Sequence, residues 1–364
     1  MNNDYYTSEA VTLLKHLISI PSFSKEENIA ADRIEQYLFG NHISYQRKGN
    51  NVWAYNQSAD ETKPTLLLNS HLDTVKPVSG WTKDPFNPVI NENRLYGLGS
   101  NDAGGSLVSL LMTFLHFYSE NDLPFNILFA ATAEEEISGK NGIESVLDDF
   151  INVHFAIVGE PTQMKMAIAE RGLLVLDICC KGISGHAARN EGKNAITTAV
   201  NEIAALNNYS FRKTSEILGD VKMNITMIEA GKQHNVIPDT CRYTADIRLN
   251  ECYTHAEIME ELKNVIHSEM TPRSFRIKPS FIDTSNILYQ AGIACGLKPF
   301  ASPTTSDMAL IPVPSIKIGP GDSARSHTAD EFIHISEIGK GISCYITLLN
   351  TLSEIMKSNL KNIN

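Results

Sequence analysis

The sequence predicts an α/β protein built as two domains. The larger has a central sheet flanked by helices, and a smaller two-layer α+β domain is inserted into it. Three observations carry this expectation. Short, nearly continuous apolar runs, such as Leu66-Leu67-Leu68 and Phe125 to Ala131, read as strands buried on both faces and alternate with helical stripes. At 364 residues the chain exceeds one typical core. The texture changes near Arg171 and reverts near Ser285, which brackets an insertion. The expected spans are 1–171 with 284–364 for the larger domain and 172–283 for the inserted one.

In chain order, Val11, Leu13, Leu14, Leu17 and Ile18 give Glu9 to Ile18 a helical stripe that Pro21 stops. Ser24 reads as the N-cap of a second helix reaching Leu38, with Glu27 completing a capping box and Ile29, Ile34 and Leu38 on its inner face. Asn51 to Tyr55 and Thr65 to Ser70 read as strands, the second running straight into His71-Leu72-Asp73. Residues 80–98 form a loop that leads into Gly97-Leu98-Gly99-Ser100-Asn101-Asp102-Ala103-Gly104-Gly105. No Lys-Ser/Thr follows these glycines, which excludes a P-loop. They instead deliver Asp102 ahead of a helix from Ser106 to Tyr118. The run Phe125 to Ala131 ends in Glu134-Glu135-Glu136. Glu144 to Leu147 is a short helix, and the strand Ala156 to Gly159 ends at Glu160.

The inserted block holds Leu173 to Cys180, the helix Ala195 to Leu206 and the strands Val221 to Glu229 and Arg242 to Leu249. The helix Thr254 to Glu269 and a closing strand, Arg276 to Ile282, complete it. The first style then resumes with the helix Ile287 to Cys295, the strand Ser315 to Gly319, a polar loop carrying His327, and the helix Ile335 to Ile355.

Composition excludes several classes. With 31 basic against 42 acidic residues the net charge is −11, which argues against nucleic acid held by a general positive field. No apolar run approaches the roughly 20 residues of a membrane helix. The polar start, Met1 to Tyr6, shows no signal peptide. Six cysteines without CxxC spacing read as reduced thiols, so a cytoplasmic protein is expected, with zinc-thiolate ligation disfavoured.

The chemistry lies where apolar strands stop. Three acids in a row are costly near a core unless they are used, and the C-terminal edge of an α/β sheet is where sites are built. Two neighbouring glutamates can divide the work, one holding metal and one moving a proton. The candidate ligands are His71, Asp102, Glu136, Glu160 and His327, with Asp73 placed to orient His71. Nitrogen and carboxylate donors without thiolate suit Zn²⁺, with Co²⁺ or Mn²⁺ able to substitute. Five ligands exceed one catalytic zinc and suit a bridged pair about 3.5–4 Å apart.

Several motifs carry a resemblance. They are His71-Leu72-Asp73, Gly99-Ser100-Asn101-Asp102-Ala103-Gly104-Gly105, Ala133-Glu134-Glu135-Glu136, Gly159-Glu160-Pro161-Thr162 and Ser326-His327-Thr328-Ala329-Asp330-Glu331. In this order they resemble the dinuclear-zinc aminoacylase/carboxypeptidase family, on the branch of acetylornithine deacetylase and succinyl-diaminopimelate desuccinylase. The resemblance implies a zinc-peptidase-like catalytic domain with a mixed central sheet and an inserted lid/dimerisation domain. It implies two Zn²⁺, His71 and Glu160 holding one, Glu136 and His327 the other, and Asp102 bridging. Glu135 is then the general base, and Glu134 has no assigned task. Gly182-Ile183-Ser184-Gly185-His186-Ala187-Ala188 resembles the lid motif whose His186 reaches across a dimer interface to an oxyanion. Asn235 and Arg248 resemble binders of a substrate carboxylate, for which an Arg fork is chemically apt. Thr305-Ser306-Asp307 resembles a substrate-facing loop.

The activity so implied is removal of an N-acetyl or N-succinyl group from a small N-acyl amino acid such as ornithine or citrulline, in arginine biosynthesis, by a homodimer. Alternatives are succinyl-diaminopimelate hydrolysis, a metallo-carboxypeptidase or dipeptidase, and a metal-binding scaffold on a hydrolase fold.

Overall fold

The computed structural model describes residues 3–189 and 191–361. The chain divides into two compact units. The first runs to Ile168 and resumes over Phe281–Phe300 and from Ser306; the second comprises Ala169–Ser280 and Ala301–Thr305. The second thus begins three residues earlier than the expected 172 and ends three earlier than 283. It also takes in a short late segment, whose Thr305 hydroxyl donates to the Arg171 carbonyl.

The first unit is organised by a mixed sheet. Its parallel centre is ordered Asn126–Thr132, Thr65–His71, Val153–Val158, Ser315–Lys317. Antiparallel strands extend it, Asn51–Tyr55 and Gln46–Lys48 on one side and Met166–Glu170 on the other. Thr65–His71 and Asn126–Thr132 are buried along their whole length, as their unbroken apolar runs require. Parallel pairing has a functional consequence: the four central strands all deliver their C-terminal ends to the same edge. One sheet face is covered by the mutually packed helices Asn3–Ile18, Gly105–Phe117, Ile287–Ala294 and Ile335–Lys361. Trp53, Leu67, Leu128, Val146, Phe150, Met308 and Ile311 form a further core cluster of this unit. Gly104 is obligatory at the start of the buried helix, because a Cβ there would lie 2.5 Å from the Gly99 carbonyl oxygen.

The second unit is a four-stranded antiparallel sheet ordered Lys222–Ala230, Thr240–Leu249, Gly172–Lys181, Glu269–Pro272. The helices Ala195–Asn207 and His255–Lys263 contribute to its core with Leu174, Leu176, Ile178, Tyr243, Ala245 and Ile247. Thr254 and Glu257 form a reciprocal capping box at the second helix.

Several expectations need correction. The second helix is Asn28–Gly40 and has no side-chain cap. Ser24 and Glu27 spend their oxygens elsewhere, and Ile29 is exposed while Ala30, Ala31, Ile34 and Leu38 face inward. Residues 143–149 form two 3₁₀ turns rather than one helix. The helix expected to reach Glu269 stops at Lys263, where Val265 and Ile266 turn towards the core and the chain continues as Glu269–Pro272. That strand closes the inserted sheet; within the expected 276–282 only Ser280–Phe281 is extended. Asp102 also does not follow a strand of the central sheet: the preceding strand, Arg94–Tyr96, belongs to a small sheet with Val89–Asn91 and Phe332–His334.

Candidate metal centre

His71 is the last residue of its strand and lies in register with Thr132, whose carbonyl accepts from the Leu72 N–H at 2.7 Å. Beyond Thr132 the chain does not continue as a strand. Glu134 adopts a left-handed φ of 55°, and Glu135–Ile137 forms a single 3₁₀ turn. Strand alternation therefore does not separate Glu135 from Glu136, and both carboxylates approach His71 or His327. Glu134, 5% exposed, folds under the turn. Its carboxylate accepts from the Asn141 side chain at 2.8 Å and the Asn141 N–H at 3.3 Å, while its carbonyl accepts from the Gly139 N–H. Gly139 has no alternative, since a Cβ would overlap the Glu134 carboxylate.

Asp73 does more than the simple pairing expected of it. The His71 Nδ1–H donates to the Asp73 backbone carbonyl at 2.9 Å, with the Asp73 carboxylate 3.4 Å from the same nitrogen. That carboxylate accepts from the N–H groups of Glu135 (3.0 Å) and Glu136 (3.1 Å) and from the Ser24 hydroxyl (2.7 Å). One residue thus sets the His71 tautomer and anchors the glutamate turn. Glu27, fully buried, accepts from the Glu134 N–H and from Asn50.

The five candidate ligands converge. Asp102 spans two imidazoles: Oδ1 lies 3.4 Å from His71 Nε2 and Oδ2 lies 3.6 Å from His327 Nε2. Glu160 sits on the His71 side at 3.7 Å, with Glu135 at 4.0 Å, and Glu136 sits on the His327 side at 3.0 Å. Among the described residues, His71-Asp102-Glu136 and His71-Glu135-Glu160 are the groups whose donor atoms lie close enough for one ion.

The electrostatics fit a cation. Burial opposes a charge on His71, but Asp102 and Asp73 outweigh it and raise its pKa well above the usual value. Burial, then the neighbouring Glu160, push the Glu135 carboxyl well up. Glu160 is pushed up to about 8 by burial and by Asp102. His327, hydrogen-bonded to Glu136, rises to about 9. Glu135, Glu160 and the two imidazoles thus hold protons that a divalent ion would displace, while the neighbouring histidines keep the Asp102 carboxyl below its usual range despite its burial. The His71 Nε2 is buried, has no hydrogen-bond partner and faces only carboxylates, as a nitrogen aimed at a metal would. The residues present therefore fit a dinuclear site.

His186, Asn235 and Arg248 lie in the second unit. His186 ends the two-residue strand Gly185–His186 and is paired with Val236, next to Asn235, whose carbonyl accepts from the Ala187 N–H. The Ala188 N–H donates to His186 Nδ1 at 3.1 Å, which leaves Nε2–H as an outward donor. Arg248 is already engaged: Nε and Nη2 donate to the Asp246 carboxylate at 2.8 and 3.1 Å. Asp307, expected in a substrate-facing loop, is instead 2% exposed and accepts from Asn69 and Thr132 beneath the strand ends.

Sequence reasoning missed the supporting carboxylates Glu27, Glu134 and Glu331 and the amide Asn101. Glu331 and Asn101 lay inside quoted motifs; Glu27 carried no signal beyond an apparent cap.

Residues 67–351 match the pattern described as Peptidase family M20/M25/M40. Over 354 residues the chain is 29% identical to the LysW-lysine/LysW-ornithine hydrolase of Sulfurisphaera tokodaii, spanning 93% of this chain and 94% of that protein. It is 29% identical over 287 residues to the succinyl-diaminopimelate desuccinylase of Ehrlichia ruminantium strain Gardel, covering 73% and 74%. Its fold matches a dinuclear metal binding peptidase from Bacillus subtilis with a TM-score of 0.74 at 16% identity, over 96% of this chain and 99% of that one.

Proposed function

From the premise that the chain belongs to peptidase family M20/M25/M40, we propose that this metal-dependent amide hydrolase releases a basic amino acid from an α-N-acyl derivative. Ornithine and lysine, or the uncharged relative citrulline, are the favoured products and arginine biosynthesis the favoured setting. The observation that carries the hydrolytic reading is Asp102 spanning His71 and His327, with Glu160 on one side and Glu136 on the other. The substrate reading draws on the relative matched along nearly its whole length, whose name gives it lysine and ornithine conjugates.

His71 and Glu160 would hold one ion, Glu136 and His327 the other, and Asp102 both; Zn²⁺ suits this donor set. Bound there, the ions supply an acidified water and a polarised carbonyl. Glu135, largely shielded and with a strong affinity for a proton, would take the proton from a water so acidified and hand it to the leaving amine. The His186 Nε2–H is free to donate to the oxyanion, and in a homodimer formed through the second unit it acts on the partner's substrate. Asn235 and the free Nη1 edge of Arg248 bind the substrate carboxylate.

Initial rates on N-acetyl- and N-succinyl-ornithine, -citrulline, -lysine and -diaminopimelate, with dipeptides, under added Zn²⁺ or Co²⁺, test this. The expected result is preference for an acylated basic amino acid. Turnover confined to dipeptides or to succinyl-diaminopimelate overturns the substrate reading. Tightly bound metal with no turnover on any of them makes the chain a scaffold.

A further inference from the structure

The glycine-rich loop that carries Asp102 and the late loop that carries His327 are more than two hundred residues apart in sequence. Each must nevertheless place its ligand atom to within roughly 0.2 Å of the right distance from a common point for one ion to be shared. The Glu331 carboxylate is 2% exposed and accepts three backbone N–H groups of the glycine-rich loop. Gly99 donates to Oε2 at 3.0 Å, and Asn101 and Asp102 donate to Oε1 at 2.7 and 2.9 Å. The Glu331 carbonyl accepts a fourth, from Gly97, at 3.0 Å.

The return contact comes from Asn101, which is fully buried. Its Oδ1 accepts from the Asp322 N–H at 3.0 Å, and its Nδ2 donates to the Asp322 carbonyl at 3.1 Å and to the Ser326 hydroxyl at 3.3 Å. Each loop thus inserts one polar side chain into the backbone of the other, and the two insertions flank Asp102 and His327. Neighbouring Asp330 adds a tie to a third loop, accepting from the N–H groups of Thr82 and Lys83.

We propose that Glu331 and Asn101 are positioning residues that set the separation of Asp102 and His327, and so the affinity and geometry of the metal position those two share. This rests on the dinuclear reading above. The chemistry is specific about the residue type. A carboxylate is acceptor-only and meets three donors; an amide offers one oxygen and would turn an NH₂ against at least one of them. Glu331→Gln therefore keeps shape and volume but loses part of the clamp, and Glu331→Ala loses all of its side-chain share. Partners that orient metal ligands without touching the ion typically alter metal affinity by about 10–100-fold.

The test is chelator-competition titration of Zn²⁺ and Co²⁺, with Co²⁺ absorption spectra, on wild type, Glu331→Gln, Glu331→Ala and Asn101→Ala. Asn126→Ala is the stability control: Asn126 is buried at the opposite end of the sheet, bonded to Asp60, Lys63 and Thr65. The expected result is one of the two metal steps weakened tenfold or more in Glu331→Gln, further in Glu331→Ala, with an altered Co²⁺ spectrum. The other step, whose ion keeps His71 and Glu160 and shares only Asp102, should weaken less, and Asn126→Ala should lose thermal stability without either change. Unaltered affinities and spectrum in a folded Glu331→Gln overturn the positioning role and leave the dinuclear reading standing. Equal weakening of both steps by Glu331→Gln and Asn126→Ala makes the effect one of stability and also overturns it. A wild-type protein that binds no divalent ion overturns the dinuclear reading, and the inference with it.

Discussion

Loss of water around Glu135, then the neighbouring Glu160, with Asp307 and Glu136 also contributing, pushes its carboxyl well above the ordinary carboxylate range. A base that must accept a proton from water and return it to an amine benefits from that shift. Glu135→Gln keeps the size of the side chain and removes the proton acceptor. It should retain two metals by elemental analysis and lose about 10²–10⁴-fold in kcat; turnover near wild type would remove Glu135 as the base. Glu160 and His327 titrate in the same sense. Glu160 at about 8 and His327 at about 9 both bind a proton more tightly in the folded, metal-free protein than when unfolded. Their contribution favours folding at low pH and is lost as pH rises through 8 and 9. Scanning calorimetry in chelator should show the melting temperature falling from pH 7 to pH 9.5. Metal binding at pH 7 must displace those protons, so titration calorimetry in two buffers should show at least one proton released. A flat stability profile with no proton release would contradict both assignments.

At the level of single elements, the turn after Asn126–Thr132 shows how three consecutive acids acquire three tasks. Glu134 points down and staples the turn to Asn141, which lets Glu135 and Glu136 approach the centre, and Asp73 holds both of their N–H groups. Removing the staple takes away the carboxylate's hydrogen bonds to Asn141, which is itself exposed and can turn to water. Glu134→Ala should cost about 1–3 kcal/mol in denaturant unfolding and lower kcat along with it, because the turn carries the base. A variant as stable and as active as wild type would show that the turn holds without it. The Ser24–Glu27 stretch makes a related point. It has the sequence of a capping box, yet both side chains support the site instead, since a helix N-terminus can satisfy its donors in water while a buried turn cannot.

For the molecule as a whole, the centre is assembled from the C-terminal ends of four parallel strands and the glycine-rich loop, so bound metal ties together segments from residue 71 to residue 327. Chelation should therefore abolish turnover and lower the unfolding midpoint, by about 2.7 kcal/mol per site at a hundredfold excess over Kd; Zn²⁺ or Co²⁺ should restore both. Loss of activity without a shift in midpoint would place the metal outside the folded framework. The sequence by itself determined the central strands of the main sheet, though not the flanking Gln46–Lys48 and Met166–Glu170, and it marked the acids and histidines that follow those strands. Unbroken apolar runs and acids at their ends are local patterns with one economical explanation. Tertiary structure alone decided that Glu134 is a staple, that Asp73 serves the glutamate turn as well as His71, that Arg248 is paired to Asp246, and that Glu331 clamps the Asp102 loop. The Arg248–Asp246 pair apart, these depend on which N–H groups come to lie against a carboxylate. That is fixed only when distant segments pack, because a carboxylate reads the same in sequence whether it faces water, a metal or three amide protons.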